Sequence, residues 1–349
     1  MELPRERKRI IFPGAVILLL LGSALAGITI GSTDVALKAT LRVVGLKLFP
    51  FWFSANDVSR ADEVIVWLIR VPRTIVAAFV GAGLAMAGAL MQGLFRNSLA
   101  EPNVVGVASG AVLGAVIVFI SGIAVTSAIA LPLAAFCGAL LALMLVYSLA
   151  TRGGTTPVST LLLSGIALAA LLQAISSLLI SFSIINWQIA QEILFWMMGG
   201  LDSRTWTHVW ISAPFITLAM LVSLYYARDL DLLVQGEEPA AALGVEVESS
   251  KRVIIVAAAL MTGSAVAVAG AVGFVGLIVP HVVRLFVGPG HRALLPMSAL
   301  TGGAFLILCD LLARIIHPPT EIRLGIITAT FGAPFFLFLL LRNREVSRP

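Results

Sequence analysis

The chain has 349 residues, 59% of them hydrophobic and 12% charged, with a mean hydropathy of +1.04. That composition excludes a water-soluble fold and predicts a single helical bundle in lipid. The net charge of +5 does not point to nucleic acid, because the 23 basic residues stand between apolar runs, as topology signals do, rather than in one patch.

Ten apolar segments are expected, at about 10–30, 74–95, 104–122, 124–149, 158–182, 206–227, 253–272, 274–287, 293–316 and 324–341. Most satisfy the requirement of about 20 helical residues for a hydrocarbon core of ~30 Å. The first follows Arg5, Arg7, Lys8 and Arg9; it is long for the apolar core of a secretory signal and reads as a retained helix. The run from Val253 to Val287 is too long for one crossing and holds Gly270, Gly273, Gly276 and Pro280, which predicts a break near Gly273. Basic residues at both ends, including Arg342, Arg344 and Arg348, put both termini in the cytoplasm, which an even number of crossings allows. The expected architecture is therefore one all-α polytopic domain over 1–349, with an external segment at about 31–72 and a cytoplasmic loop at about 228–252. Cys137 and Cys309 lie in apolar segments without close partners and read as core packing, with no disulfide framework or metal site indicated.

The second segment contains Leu84-Ala85-Met86-Ala87-Gly88-Ala89-Leu90 and the seventh Val266-Ala267-Val268-Ala269-Gly270-Ala271-Val272. Copies five helices apart run in opposite directions, as in the inverted repeats of transport folds. Small-residue stripes also recur in membrane helices simply because they permit close packing.

Several residues break the membrane pattern. The external segment and the turn beyond it carry Lys38, Arg42, Lys47, Arg60, Arg70 and Arg73, partly offset by Asp34, Asp57, Asp62 and Glu63. Arg70 and Arg73, with no acid beside them, either snorkel to headgroups or form a site for an acidic external partner. Asp310 and Arg314 lie one turn apart and can pair on one helix face. Glu321 and Arg323 follow in the next external turn. In the cytoplasmic loop, Gly236 to Gly244 predicts a short helix opened by Glu237 and Glu238 and closed by glycine. It is either a polar connection or a docking surface for a cytoplasmic protein.

Catalysis by this chain alone is not indicated. There is no Gly-x-x-x-x-Gly-Lys-Ser/Thr run, none of the four lysines follows a glycine, and the four histidines are far apart in sequence. No nucleophile elbow is present either.

Taken together, the ordered motifs resemble the permease subunits of binding-protein-dependent ABC importers for iron-siderophores, heme and cobalamin. The resemblance rests on Arg70-Val71-Pro72-Arg73, Gly81 to Gly88 with Gln92, Asn97-Ser98-Leu99-Ala100-Glu101-Pro102, Gly273 to His281 with Arg284, Asp310 with Arg314, and Gly325 to Phe336. It implies a type II ABC importer permease fold of ten helices with an inverted repeat. It further implies a homodimer in a bacterial cytoplasmic (inner) membrane, two ATPase subunits carrying ATP and Mg, and a periplasmic substrate-binding protein. No cofactor, metal or catalytic residue is expected on this chain. By family pattern, Arg70, Arg73 and Arg314 would be sockets for acidic residues of the binding protein. Gly236, Glu237, Glu238, Ala241, Ala242, Leu243 and Gly244 would form the ATPase-coupling helix. Asn97, Leu99 and Ser159 would narrow the cytoplasmic gate. Ser98 and Arg323 each replace a proline usual in the family, the first loosening a turn and the second adding external charge.

The external stretch Phe195 to Trp206 bears on cargo. Trp196, Met197, Met198 and Arg204 would suit a flat apolar ligand with carboxylates, which favours heme, although the Trp-Met-Met-Gly-Gly run equally resembles cobalamin permeases. Ferric siderophore or cobalamin import is the alternative cargo. An ion-coupled secondary transporter is the alternative of another class, with Asp310 the only acid well inside the expected spans. A membrane-embedded enzyme would need a convergent acid–base set that the sequence does not offer.

Overall fold

The computed structural model describes the chain from residue 5 to 346 except positions 32, 34, 52–57, 103–105, 128 and 184–186. The expected charges at Asp34, Asp57 and Arg348 lie outside the described residues.

Helix α1 (Arg5–Thr29) and a short α2 (Leu37–Leu48) precede α3, which spans Arg60–Leu94. Helices α4 (Val107–Ile120), α5 (Ala130–Ala150), α6 (Val158–Ser183) and α7 (Trp187–Met197) complete the first half. The second half holds α8 (Trp206–Tyr225), α9 (Ala227–Gln235), α10 (Glu237–Ala242), α11 (Val247–Ala269), α12 (Val275–Val287), α13 (His291–Ile315) and α14 (Leu324–Val346). Seven of these are long and apolar enough to cross a membrane, and α4, α12 and α14 supply three shorter apolar helices. The ten expected segments are all present. The end of the bundle where α1 begins is called proximal and the opposite end distal; alternation of ten crossings returns α14 to the proximal end.

The second crossing, expected to start near residue 74, has a helix that begins earlier: the stretch from Arg60 to Arg70 is helical and continuous with it. Ser59 Oγ accepts the N–H of Asp62 at 3.0 Å, and Asp62 and Glu63 occupy the first turn, where the helix dipole favours acids. The ladder widens over Val64–Arg70, with Val71 N–H reaching Val66 O, directly before Pro72, which has no N–H to give. Arg70 and Arg73 are consequently inside helical structure and buried.

Small residues let the two echo helices sit at the centre. A Cβ on Gly81 of α3 would stand 2.2 Å from the Gly302 carbonyl of α13. Its counterpart in the echo, Gly263 of α11, faces Ala139 of α5 at 3.0 Å. Each echo helix thus packs closely on another crossing through the equivalent position. Each is also followed by a break and a left-handed residue, Gly106 (φ 78°) before α4 and Phe274 (φ 68°) before α12. Helices of 14 and 13 residues reach only about 20 Å, so both start within the bundle. There the two breaks meet, Phe274 N–H donating to Glu101 Oε1 at 2.8 Å. The echo is structural, as an inverted repeat requires.

The echo helices are the most enclosed, whereas α1 and α6 keep most of their apolar surface open. Cys309 is buried as expected, but Cys137 is exposed on the outer face of α5, which corrects its reading as core packing.

Candidate functional site

Two ionic clusters occupy opposite ends of the bundle. At the distal end, α13 carries Asp310 and Arg314 one turn apart, and their pairing at 3.2 Å agrees with the sequence reading. Arg73 of α3 adds a contact that spacing along the chain does not reveal. Its Nε and Nη2 donate to the Asp310 carboxylate at 2.8 to 3.1 Å, while Nη1 and Nη2 donate to Glu321 at 2.9 and 2.7 Å. This is a fork between two carboxylates, the geometry that suits guanidinium. Arg314 donates to the carbonyls of Gly27 and Ile30 at the end of α1. Arg70 donates to the carbonyls of Ile28, Thr29 and Thr33. The three expected sockets therefore converge on one corner, buried and engaged by this chain.

The aromatic and methionine stretch divides. Trp196 and Arg204 line a cavity of about 260 Å³ with Glu192, Phe195 and Arg323. Met197 and Met198 line another of about 550 Å³ with Phe274 and Thr330. The Arg204 guanidinium donates to the Val268 carbonyl. Burial draws its pKa below the ordinary arginine range, and the nearby Asp202 opposes that shift. Arg323, which the sequence flagged as a departure, pairs with Asp202 at 3.0 Å and lies 4.2 Å from the centre of the Phe195 ring. Next to it, the N–H groups of Leu324 and Gly325 donate to the carbonyls of Gly199 and Met198, joining the start of α14 to the end of α7.

At the proximal end the expected short helix forms as α10, with Gly236 before it and Gly244 (φ 85°) after it. Its carrier α9 is anchored three ways. Asp231 accepts both the main-chain N–H (2.9 Å) and Nδ1 (2.6 Å) of His291, Asp229 accepts Ser250 Oγ (3.0 Å), and Leu233 O accepts Arg96 Nη2 (2.8 Å). Asn97 Oδ1 caps its own turn through Leu99 N–H at 2.9 Å, and Ser159 is exposed in the first turn of α6. A cavity of about 460 Å³ brings these regions together: its wall runs from Leu94–Arg96 through Val158 to Gly236–Pro239.

Sequence reasoning missed Lys251. By sequence it is one of the basic residues standing between apolar runs, but it is 3% exposed and bonded to Thr156, Glu237 and Glu248. The available signal was that it is the one lysine after Lys47 in a chain otherwise using arginine.

A match to the FecCD transport family covers residues 17–342. The chain belongs to the FecCD transport family. It is 49% identical over 294 residues to the cobalamin import system permease protein BtuC of Halobacterium salinarum, covering 83% of this chain and 76% of that protein. It is 42% identical over 278 residues to the Fe(3+) dicitrate transport system permease protein FecD of Escherichia coli, covering 79% and 84%. A solved inward-facing structure of a metal-chelate type ABC transporter superposes with a TM-score of 0.82 at 30% identity, over 95% of this chain and 99% of that one. As a FecCD permease the chain is a multi-pass membrane protein of an ABC importer, and the all-helical architecture agrees with that membership.

Proposed function

We propose that this FecCD permease imports cobalamin or a ferric siderophore, driven by a separate ATPase and supplied by a substrate-binding protein. The observation that carries the cargo reading is the similarity, over about four-fifths of the chain, to permeases named for cobalamin and for ferric dicitrate. Heme would need Trp196, Met197, Met198 and Arg204 around one ligand, but they line two cavities, Trp196 with Arg204 in one and Met197 with Met198 in the other. Cobalamin or a ferric chelate is therefore the preferred cargo, with heme the competing arm of the test.

In this reading α10 is the contact for the ATPase, which holds ATP and Mg, and the proximal end with both termini is cytoplasmic. A second copy of the chain covers part of the open apolar faces of α6 and α14. Arg70, Arg73 and Arg314 receive the binding protein's acids. Because Asp310 is 1% exposed and Glu321 32%, an incoming carboxylate takes the Glu321 corner of the Arg73 fork. Asn97, Leu99 and Ser159 border the cytoplasmic gate.

Uptake into proteoliposomes holding the chain with its ATPase and binding protein tests the reading, comparing cobalamin, a ferric siderophore and heme. ATP-dependent uptake of cobalamin or the siderophore is expected. Uptake of heme alone would overturn the cargo, and uptake driven by an ion gradient without ATP would overturn the class.

A further inference from the structure

The contacts of Lys251 join the short helix α10 to the start of α6. Its ammonium lies 3.2 Å from Glu237 Oε2, on the first residue of α10, and 2.6 Å from Glu248 Oε1, one turn earlier on its own helix α11. It also donates to the Thr156 carbonyl at 2.9 Å. Glu248 then accepts the Thr156 N–H at 3.0 Å through its other oxygen. Both polar groups of the Thr156 peptide are thus held from α11, two residues before α6 begins and three before Ser159. Thr156 is itself buried, and its hydroxyl contacts those of Thr151 and Tyr147 at 2.9 and 3.3 Å.

The setting makes this more than a local ion pair. Glu237 and Val158 both line the 460 Å³ cavity, so apolar packing does not fill the space beside α10 and the start of α6 there. An ammonium with three donors on a flexible stem can keep several oxygen partners while they shift, which a planar guanidinium fork does less well. Glu237 and Glu248 are 44% and 28% exposed, so the acids can move against water at small cost, while the buried Lys251 has every reason to follow them.

We infer that Lys251 is a positioning residue that transmits displacement of α10 to the start of α6, and so couples ATPase movement to the gate. The inference rests on the ATPase-driven reading above. Its test uses the complete transporter in proteoliposomes, measuring ATP hydrolysis and cobalamin or siderophore uptake in the same vesicles. Wild-type vesicles without ATP-driven uptake would overturn the functional reading itself. Given wild-type uptake, Lys251→Met should keep complex assembly and ATP hydrolysis within about twofold, yet lower uptake per ATP about tenfold, and Lys251→Arg should restore part of that ratio. A purely structural role would lower hydrolysis and uptake together through loss of complex, leaving their ratio unchanged, and that result would overturn the inference. Should Lys251→Met fail to assemble, Glu248→Gln, a change at a partly solvated side chain, decides: about a threefold loss of uptake per ATP supports the link, and an unchanged ratio overturns it.

Discussion

Each end of the bundle sets a buried cation between two acids, and the distal end adds a second buried cation on one of those acids. At the distal corner, Arg73 spreads a rigid fork over Asp310 and Glu321, and Arg314 returns to the same Asp310. Asp310 is sealed from water, so this corner welds α1, α3 and α13 and leaves Glu321 as the replaceable partner. At the proximal junction, Lys251 is the sealed group and both acids touch solvent. Burial of the shared acid makes a fixed joint, whereas burial of the cation beneath exposed acids makes one that can shift while staying bonded.

The comparison breaks most sharply at Asp310. Asp310→Asn leaves two buried guanidinium groups without their shared carboxylate, and removing one partner of a buried pair costs ~3–5 kcal/mol. The expected outcome is a large fall in the temperature at which detergent-solubilised protein stays monodisperse; a wild-type melting profile would contradict the weld. By contrast, Lys251→Met strands two acids that reach water and one buried carbonyl, that of Thr156, so its stability loss should be about 1–3 kcal/mol, visible as a smaller shift in the same assay. Equal shifts for the two variants would erase the distinction.

A smaller effect, and of opposite sign for binding, is expected at Glu321. Glu321→Gln weakens the internal hold on Arg73 and should tighten binding-protein docking several-fold in nanodiscs, with little change in melting. Weaker docking would show that Glu321 presents the surface rather than occupying the socket. The smallest effect belongs to Arg323→Ala, which loses one exposed pair with Asp202 and a ring contact with Phe195. Together these are worth about 1 kcal/mol, and the expected readout is a slight melting shift with docking and uptake unchanged.

What was legible in the sequence was whatever depends on local pattern. Apolar length and glycine breaks located ten segments and the interruption near Gly273, helix-terminus signals located α10, and one-turn spacing located the Asp310–Arg314 pair. The helical start of α3 was not legible, because the charges of Arg60, Asp62 and Glu63 look external while Ser59 and the widened turn before Pro72 carry the helix through them. Nor were the partners of Arg73 and Lys251. Asp310 lies 237 residues from Arg73, and Thr156 lies 95 from Lys251; only helix packing brings such groups together. The echo of α3 in α11 gained its meaning from Gly81 and Gly263 standing at equivalent close contacts.

The division between the ends is tested most directly by measuring binding-protein affinity and uptake per ATP on Lys251→Met and Glu321→Gln reconstituted side by side. The account predicts a crossed result, with Lys251→Met lowering uptake per ATP at unchanged docking affinity and Glu321→Gln changing docking affinity at unchanged uptake per ATP. If both variants move both quantities alike, the proximal junction and the distal corner are not separate devices.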